Sequence, residues 1–312
     1  MKKLAILGMV VMSIGVFGGC QLFEKAEQND EAARETVREA WINMQNVESS
    51  SFTAEMDIDV EATTDEETEN VKLMIEASGV EDYRNSENPM VSFKLGLEVE
   101  SSDYTGYLGD ISMAMDMEML YVMLANLSDF DGQLPVELSS QFTDKWWNFP
   151  LPPEANLGFA MVKDESEMTE EEKELKRLVE EAEFMKNYKS LGDGHYSAEF
   201  DPEGLEDYMN KVLELAVGNT QEMTAEEKEA MEMLFAGMTG DIEMWINGEN
   251  QVEKMEMTLK MDIEDQGAHV VAAIDMVVEI SDINGDVEVG LPAESEAFDP
   301  MLLFGAMGGL PQ

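Results

Sequence analysis

The chain has 312 residues, with 68 Asp and Glu against 19 Lys and Arg and a formal net charge of −49. A field of that sign repels phosphate backbones and anionic headgroups, so nucleic acid is excluded as a partner. A single cysteine rules out an intramolecular disulfide and, with only two histidines, argues against a zinc centre.

In chain order, Lys2 and Lys3 come first, then an uncharged apolar run from Leu4 to Phe17, then Gly18, Gly19 and Cys20. The run is short for a membrane span, which needs about 20 apolar residues, and fits the apolar region of a secretory signal. It resembles the bacterial lipoprotein signal, whose lipobox ends in a small residue followed by cysteine. Gly19 and Cys20 match that ending, while Phe17 and Gly18 depart from the usual residues upstream. The resemblance implies a cleaved signal peptide over 1–19 and lipidation of Cys20 with palmitate-type acyl chains. A polar tether over 20–30 would then hold an extracytoplasmic domain at the cell membrane or envelope. One acyl chain binds a membrane only marginally, whereas a two-chain diacylglyceryl anchor holds stably.

From Glu31 the spacing turns helical. Ala33, Val37, Ala40, Trp41, Met44 and Val47 fall on one face, behind Asp30 as N-cap. The period then changes to two. Phe52, Ala54, Met56, Ile58, Val60 and Ala62 alternate with acids and threonine, as half-buried strands do. Val71 to Ala77 and Val91 to Val99 repeat the pattern. Ile111, Met113, Met115, Met117, Met119, Tyr121 and Met123 form a further alternating row. Short polar connections between such strands predict an antiparallel meander.

Asp129 to Pro153, with Lys145-Trp146-Trp147-Asn148-Phe149-Pro150, reads as a loop. A helical insert spans about 165–238. Its first helix has a Thr169/Glu172 capping box and the apolar face Leu175, Leu178, Val179, Ala182 and Met185. A short strand, His195 to Phe200, precedes a second helix begun by Asp201 and Pro202 and ended by Gly218. A third opens at Thr224/Glu227 and closes near Gly237. Strands return at Ile242 to Ile246, then, after the hairpin signal Asn247-Gly248, at Met255 to Ile263 and Val270 to Ile280. Ile283-Asn284-Gly285-Asp286 turns into a last strand through Val287, Val289 and Leu291.

Helix, four strands, helical insert and closing strands, in that order, resemble the lipoprotein-carrier half-barrel group, the LolA/LolB-like and LppX/LprG-like proteins. The segments that carry this are His195-Tyr196-Ser197-Ala198-Glu199-Phe200-Asp201, Ile242-Glu243-Met244-Trp245-Ile246, and Ser281-Asp282-Ile283-Asn284 on to Pro292. Lys145-Trp146-Trp147 is also similar to a basic-aromatic element of related Gram-positive lipoproteins. The resemblance implies an α+β fold, in which a curved antiparallel β-sheet forms an open half-barrel around amphipathic helices. The half-barrel would cover 31–292, leaving 293–312 as a tail. The group has no catalytic residue set to carry over, and fold alone does not fix a ligand.

The residues themselves give no enzyme. His195 and His269 sit in predicted strands, Cys20 is taken by the anchor, and no Gly-x-Ser-x-Gly elbow occurs. No cofactor motif is present. Asp129-x-Asp131-Gly132 and Asp282-x-Asn284-Gly285-Asp286 could offer calcium oxygens but do not fit an EF-hand loop. The methionine row could offer thioethers to Cu(I), yet Met also fills irregular apolar space. The leading expectation is a non-enzymatic lipoprotein that binds or transfers a lipid-like ligand. Its lining would be Phe93, Leu95, Met113, Met115, Met117, Met257 and Met276, with Trp146, Trp147 and Phe149 at the mouth. Two alternatives stay open: a structural or interaction lipoprotein with a filled core and an unspecified protein partner, and a metal scavenger.

Overall fold

The computed structural model describes residues 30–64, 68–85, 88–101, 105–126, 143–151, 173, 177, 185–206, 233, 235–265 and 268–298. Cys20, the Thr169 and Thr224 capping boxes, Gly218 and the Asp129–Gly132 turn lie outside them.

Helix α1, Glu31–Gln45, starts where capping chemistry puts it. Asp30 is extended, and its carboxylate accepts from the backbone N–H groups of Ala32 and Ala33 at 3.2 and 3.3 Å. The strands follow: β1 Ser49–Thr63, β2 Thr68–Asp82, β3 Met90–Ser101, β4 Thr105–Met115, β5 Met119–Ala125, β6 Trp146–Pro150, β7 Met185–Gly192, β8 His195–Phe200, β9 Met238–Ile246, β10 Val252–Asp265, β11 Ala268–Ser281 and β12 Glu296–Ala297. At about 3.3 Å per residue, the longest strands run to roughly 50 Å.

All twelve strands join in one sheet, ordered β12-β6-β5-β4-β3-β2-β1-β11-β10-β9-β8-β7. Two antiparallel meanders, β1–β6 and β7–β11, meet along the thirteen-pair register Ser51↔Ser281 to Thr63↔His269. Only β12 runs parallel to its neighbour, β6. The sheet is open, with β7 and β12 as its edges. Described helical structure amounts to α1, a short helix at 202–206, and helical backbone at 173, 177, 233 and 235–236. The fold is therefore mostly β, and the expected α+β class is corrected to one large open sheet with a helix on one face.

That face carries the core. Ala33, Val37, Ala40 and Trp41 of α1 bury against Ile242 and Met244 of β9, Leu259 and Met261 of β10, and Ala272 and Ile274 of β11. The backbone N–H of Asp30 donates to the Tyr188 carbonyl of β7 (3.1 Å), and Asn43 Nδ2 donates to the Asn250 carbonyl beyond β9 (2.8 Å). The helix is thus pinned at both ends over the second meander. Leu205 N–H donates to the Asp201 carbonyl, so Asp201 and Pro202 do begin a helix, and Gly237 does follow one. The loop after β9 turns at Asn247-Gly248, but its left-handed residue is Asn250 (φ 60°).

Three expectations are corrected. Trp146–Pro150 is a strand, because β5 and β12 supply backbone partners on both sides. Met185 is on strand β7, not on a helix face. Val287, Val289 and Leu291 form no strand. The tail there is held by side chains instead: Arg84 grips Asp82 through two hydrogen bonds (2.9 and 2.7 Å) and donates to the Val287 carbonyl (3.0 Å). The tail then rejoins the sheet as β12, beyond Pro292.

Gly79 of β2 faces the same side as Phe52 and Phe93, its register partners on β1 and β3. The Phe52 ring lies over it, so an added Cβ would clash with that ring. Gly79→Val is expected to cost roughly 1–3 kcal/mol through overpacking, read as a lower urea midpoint with an unchanged slope.

Candidate functional site

Alternation and register place most of the sequence's candidate residues on one surface. Phe93 pairs with Met113, and Met113 with Val122. Val122 then pairs with Trp147. One step along, Leu95 pairs with Ile111 and Ile111 with Leu124. In the other direction Met115 pairs with Leu120, and Leu120 with Phe149. Phe93, Leu95, Met113, Met115, Trp147 and Phe149 therefore share the face that α1 covers further along the sheet.

The two halves of that face differ. On the second meander, Met257 and Met276 are each 6% exposed and belong to the packed core. On β3–β5, Phe93, Leu95, Leu97, Ile111, Met113, Met115, Leu120, Val122 and Leu124 are only half-buried. The apolar surface is continuous across the join. Leu97 pairs with Ile75, Ile75 with Met56, Met56 with Met276, and Met276 with Met257.

Two candidates fall elsewhere. Met117 sits in the β4–β5 turn, where Asp116 accepts from the N–H groups of Glu118 and Met119 at 2.8 Å each. Trp146 pairs with Met123 and faces the opposite side from Trp147. The expected methionine row is broken for the same reason. The two-residue turn pairs Met115 with Leu120, so odd positions on β4 share a face with even positions on β5. Met119 and Met123 point away from Met113 and Met115, and Leu120, Val122 and Leu124 take the places the row assigned to methionine.

The edge of this face is aromatic. Trp147 is 4% exposed, with Phe298 edge-on at 5.8 Å and Lys145 Nζ 4.3 Å from its ring. Phe149 lies 4.7 Å from Phe298. Phe298, just after β12, was not among the sequence candidates. Its role depends on a parallel pairing that no local pattern announces.

The opposite face carries polar clusters. Around Asp110, a bulge in β4 puts Tyr107 and Asp110 on the same side. Tyr107 and Asn126 donate to the Asp110 carboxylate, and Lys94 Nζ lies 3.3 Å away. The Tyr107 hydroxyl, more than any other neighbour, holds Asp110 below the usual carboxylate range, and Tyr107 is in turn pushed up to about 12. This cluster binds β3, β4 and β5 together. His195 meets Glu243 at 2.7 Å and stacks on Trp245, and His269 meets Asp262 at 2.8 Å. In the Asp282–Asp286 turn, Asn284 Oδ1 accepts from Glu48 N–H and the Gly285 carbonyl from Ser49. Among the described residues, no group of three or more His, Cys, Asp or Glu is placed to hold a metal ion.

No known family profile matches the chain, and no curated protein matches it in sequence. Solved structures show only weak likenesses to it. One is lipovitellin, described for its lipid–protein interactions, at 6% identity and TM-score 0.30, covering 80% of this chain and 26% of that one. The chain thus spans about a quarter of that structure's length. A DUF1329 family protein from Desulfovibrio piger has 10% identity and TM-score 0.22, over 85% of this chain and 96% of that one. A barrel-like DUF1849 protein from Brucella abortus has 8% identity and TM-score 0.19, over 76% and 100%. Likenesses this loose fix no shared function.

Proposed function

We propose that this chain is a non-enzymatic, membrane-anchored lipoprotein of the cell envelope that holds or passes a lipid-like hydrophobic molecule, in the manner of the lipoprotein-carrier half-barrel group. The observation that carries this reading is the contrast within one apolar face: packed beneath α1 on the second meander, half-buried on β3–β5. A broad apolar surface left partly open favours an apolar guest, and each CH₂ buried against it contributes about 0.8 kcal/mol. Met113 and Met115 suit such a surface, since a flexible thioether follows chains of varied shape. Phe149 and Phe298, both half-buried, border that surface beside the buried Trp147.

The anchor belongs to the same proposal. No described helix is long and apolar enough to cross a membrane, and Gly19-Cys20 supplies a lipidation ending. Cys20→Ser is expected to abolish incorporation of radiolabelled fatty acid and to move the protein from the membrane to the soluble fraction. For the ligand, native extraction of the purified protein followed by mass spectrometry is expected to yield a co-purifying lipid, and a fluorescent diacylglycerol is expected to bind saturably. No lipid in the extract together with no saturable binding would leave a structural lipoprotein in its place.

A further inference from the structure

Resting on the lipid-binding reading, we infer that the ligand is a neutral acyl ester whose carbonyl oxygen accepts a hydrogen bond from the indole Nε1–H of Trp41. Trp41 lies on the buried face of α1 and is 8% exposed, yet among the described residues its Nε1 is the one buried side-chain nitrogen or oxygen with no hydrogen-bond partner. Buried polar groups in folded proteins are almost always satisfied. An indole N–H can only donate, so what is missing is an acceptor. Phenylalanine would fill an apolar helix face without that unmet donor.

The position fits the half-buried surface. Trp41 belongs to the same cluster as Ile58 of β1, and Leu73 and Ile75 of β2 pack against that cluster. Their register partners on β3 are Val99 and Leu97. The side chain that carries the unmet donor therefore belongs to an apolar layer that continues through apolar side chains onto the half-buried strands. An acyl chain lying on β3–β5 could end with its ester carbonyl at the helix.

Charge selects the kind of acceptor. A free carboxylate would bring a full negative charge into a chain of net charge −49 and be stripped of water against a single N–H, which is strongly unfavourable. An ester carbonyl is neutral and needs one donor. The ligand class is thus an acylglycerol or similar ester rather than a free fatty acid or an anionic phospholipid.

The test pairs a change in the protein with a change in the lipid. The probes are a monoacylglycerol and its alkyl-ether analogue of equal chain length, titrated against the purified full chain and against Trp41→Phe. Wild type is expected to bind the ester about tenfold more tightly than the ether, equivalent to about 1.4 kcal/mol. Trp41→Phe is expected to bind both at the weaker level. One of the four indole N–H resonances of wild type, absent from Trp41→Phe, is expected to move with the ester and stay put with the ether. If Trp41→Phe does not fold, the wild-type ester preference and the movement of a single indole signal still decide. Equal binding of ester and ether by wild type, as expected if water alone satisfies the indole, overturns the Trp41 inference and leaves lipid binding standing. Binding of neither lipid overturns both.

Discussion

Leu259→Ala is expected to lower the free energy of unfolding by roughly 2–5 kcal/mol, and Leu95→Ala by less than half as much. The two positions carry the same side chain on the same face of the same sheet, each within a long antiparallel strand. They differ in what lies above them. Leu259 is 1% exposed in the cluster with α1, so truncation removes its transfer energy and leaves a cavity among Ile274, Met261 and the helix. Leu95 is half-buried between Ala77 and Ile111. Truncation there removes contacts already shared with solvent and leaves no enclosed void. Urea denaturation of both variants, with the slopes compared, measures the difference. Equal costs would mean that the β3–β5 face is packed as tightly as the helix-covered half, and the lipid-binding proposal would lose the observation that carries it. Added ligand sharpens the experiment, because a molecule that binds only the folded state raises stability with its concentration. That gain should shrink in Leu95→Ala.

How far the sequence disclosed this arrangement depends on how local each signal was. The long strands were legible because one face is apolar and the other acidic, so period two runs unbroken through Phe52 to Ala62 and Met255 to Ile263. Asp30 was legible as a cap because its carboxylate acts on the next two or three residues. Errors arose where two periods imitate each other. Met185 follows Leu178 and Ala182 at helical steps in the sequence, yet it is the first residue of β7 and pairs with Phe200. The methionine row failed because Asp116 makes a tight turn without glycine, and the turn exchanges odd for even. Val287, Val289 and Leu291 alternate in burial as a strand would, but β1 and β11, the strands this tail follows, are already paired on both sides and offer it no ladder. The unmet N–H of Trp41 had no sequence signature, since a tryptophan on an amphipathic face reads as packing. Its lack of an acceptor is visible only once its surroundings are placed.

Raising NaCl from about 0.01 to 1 M is expected to increase the melting temperature by several degrees. The reason lies on the acidic face. Glu55 stands directly opposite Glu76, and Asp57 directly opposite Asp275. All four are exposed. Like charges across a ladder each cost up to about 1 kcal/mol, and 68 acids against 19 bases add a wider repulsion that unfolding relieves. Over that salt range the screening length falls from about 30 Å to about 3 Å, so most of the repulsion between exposed groups is removed. Attractive pairs such as Lys72 with Asp59 at 2.9 Å weaken too, but exposed ion pairs contribute only about 0–1 kcal/mol each and are far fewer than the acids. For a chain of this size, each kcal/mol gained is worth roughly 2–4 °C. Glu76→Gln with Asp275→Asn removes both opposed pairs while leaving the Thr258 hydroxyl an acceptor oxygen at position 275 in place of its present one at 2.8 Å. That double variant should melt higher than wild type at low salt and depend less on NaCl. A melting temperature that is flat or falls with salt would show that the carboxylates are already neutralised by bound cations.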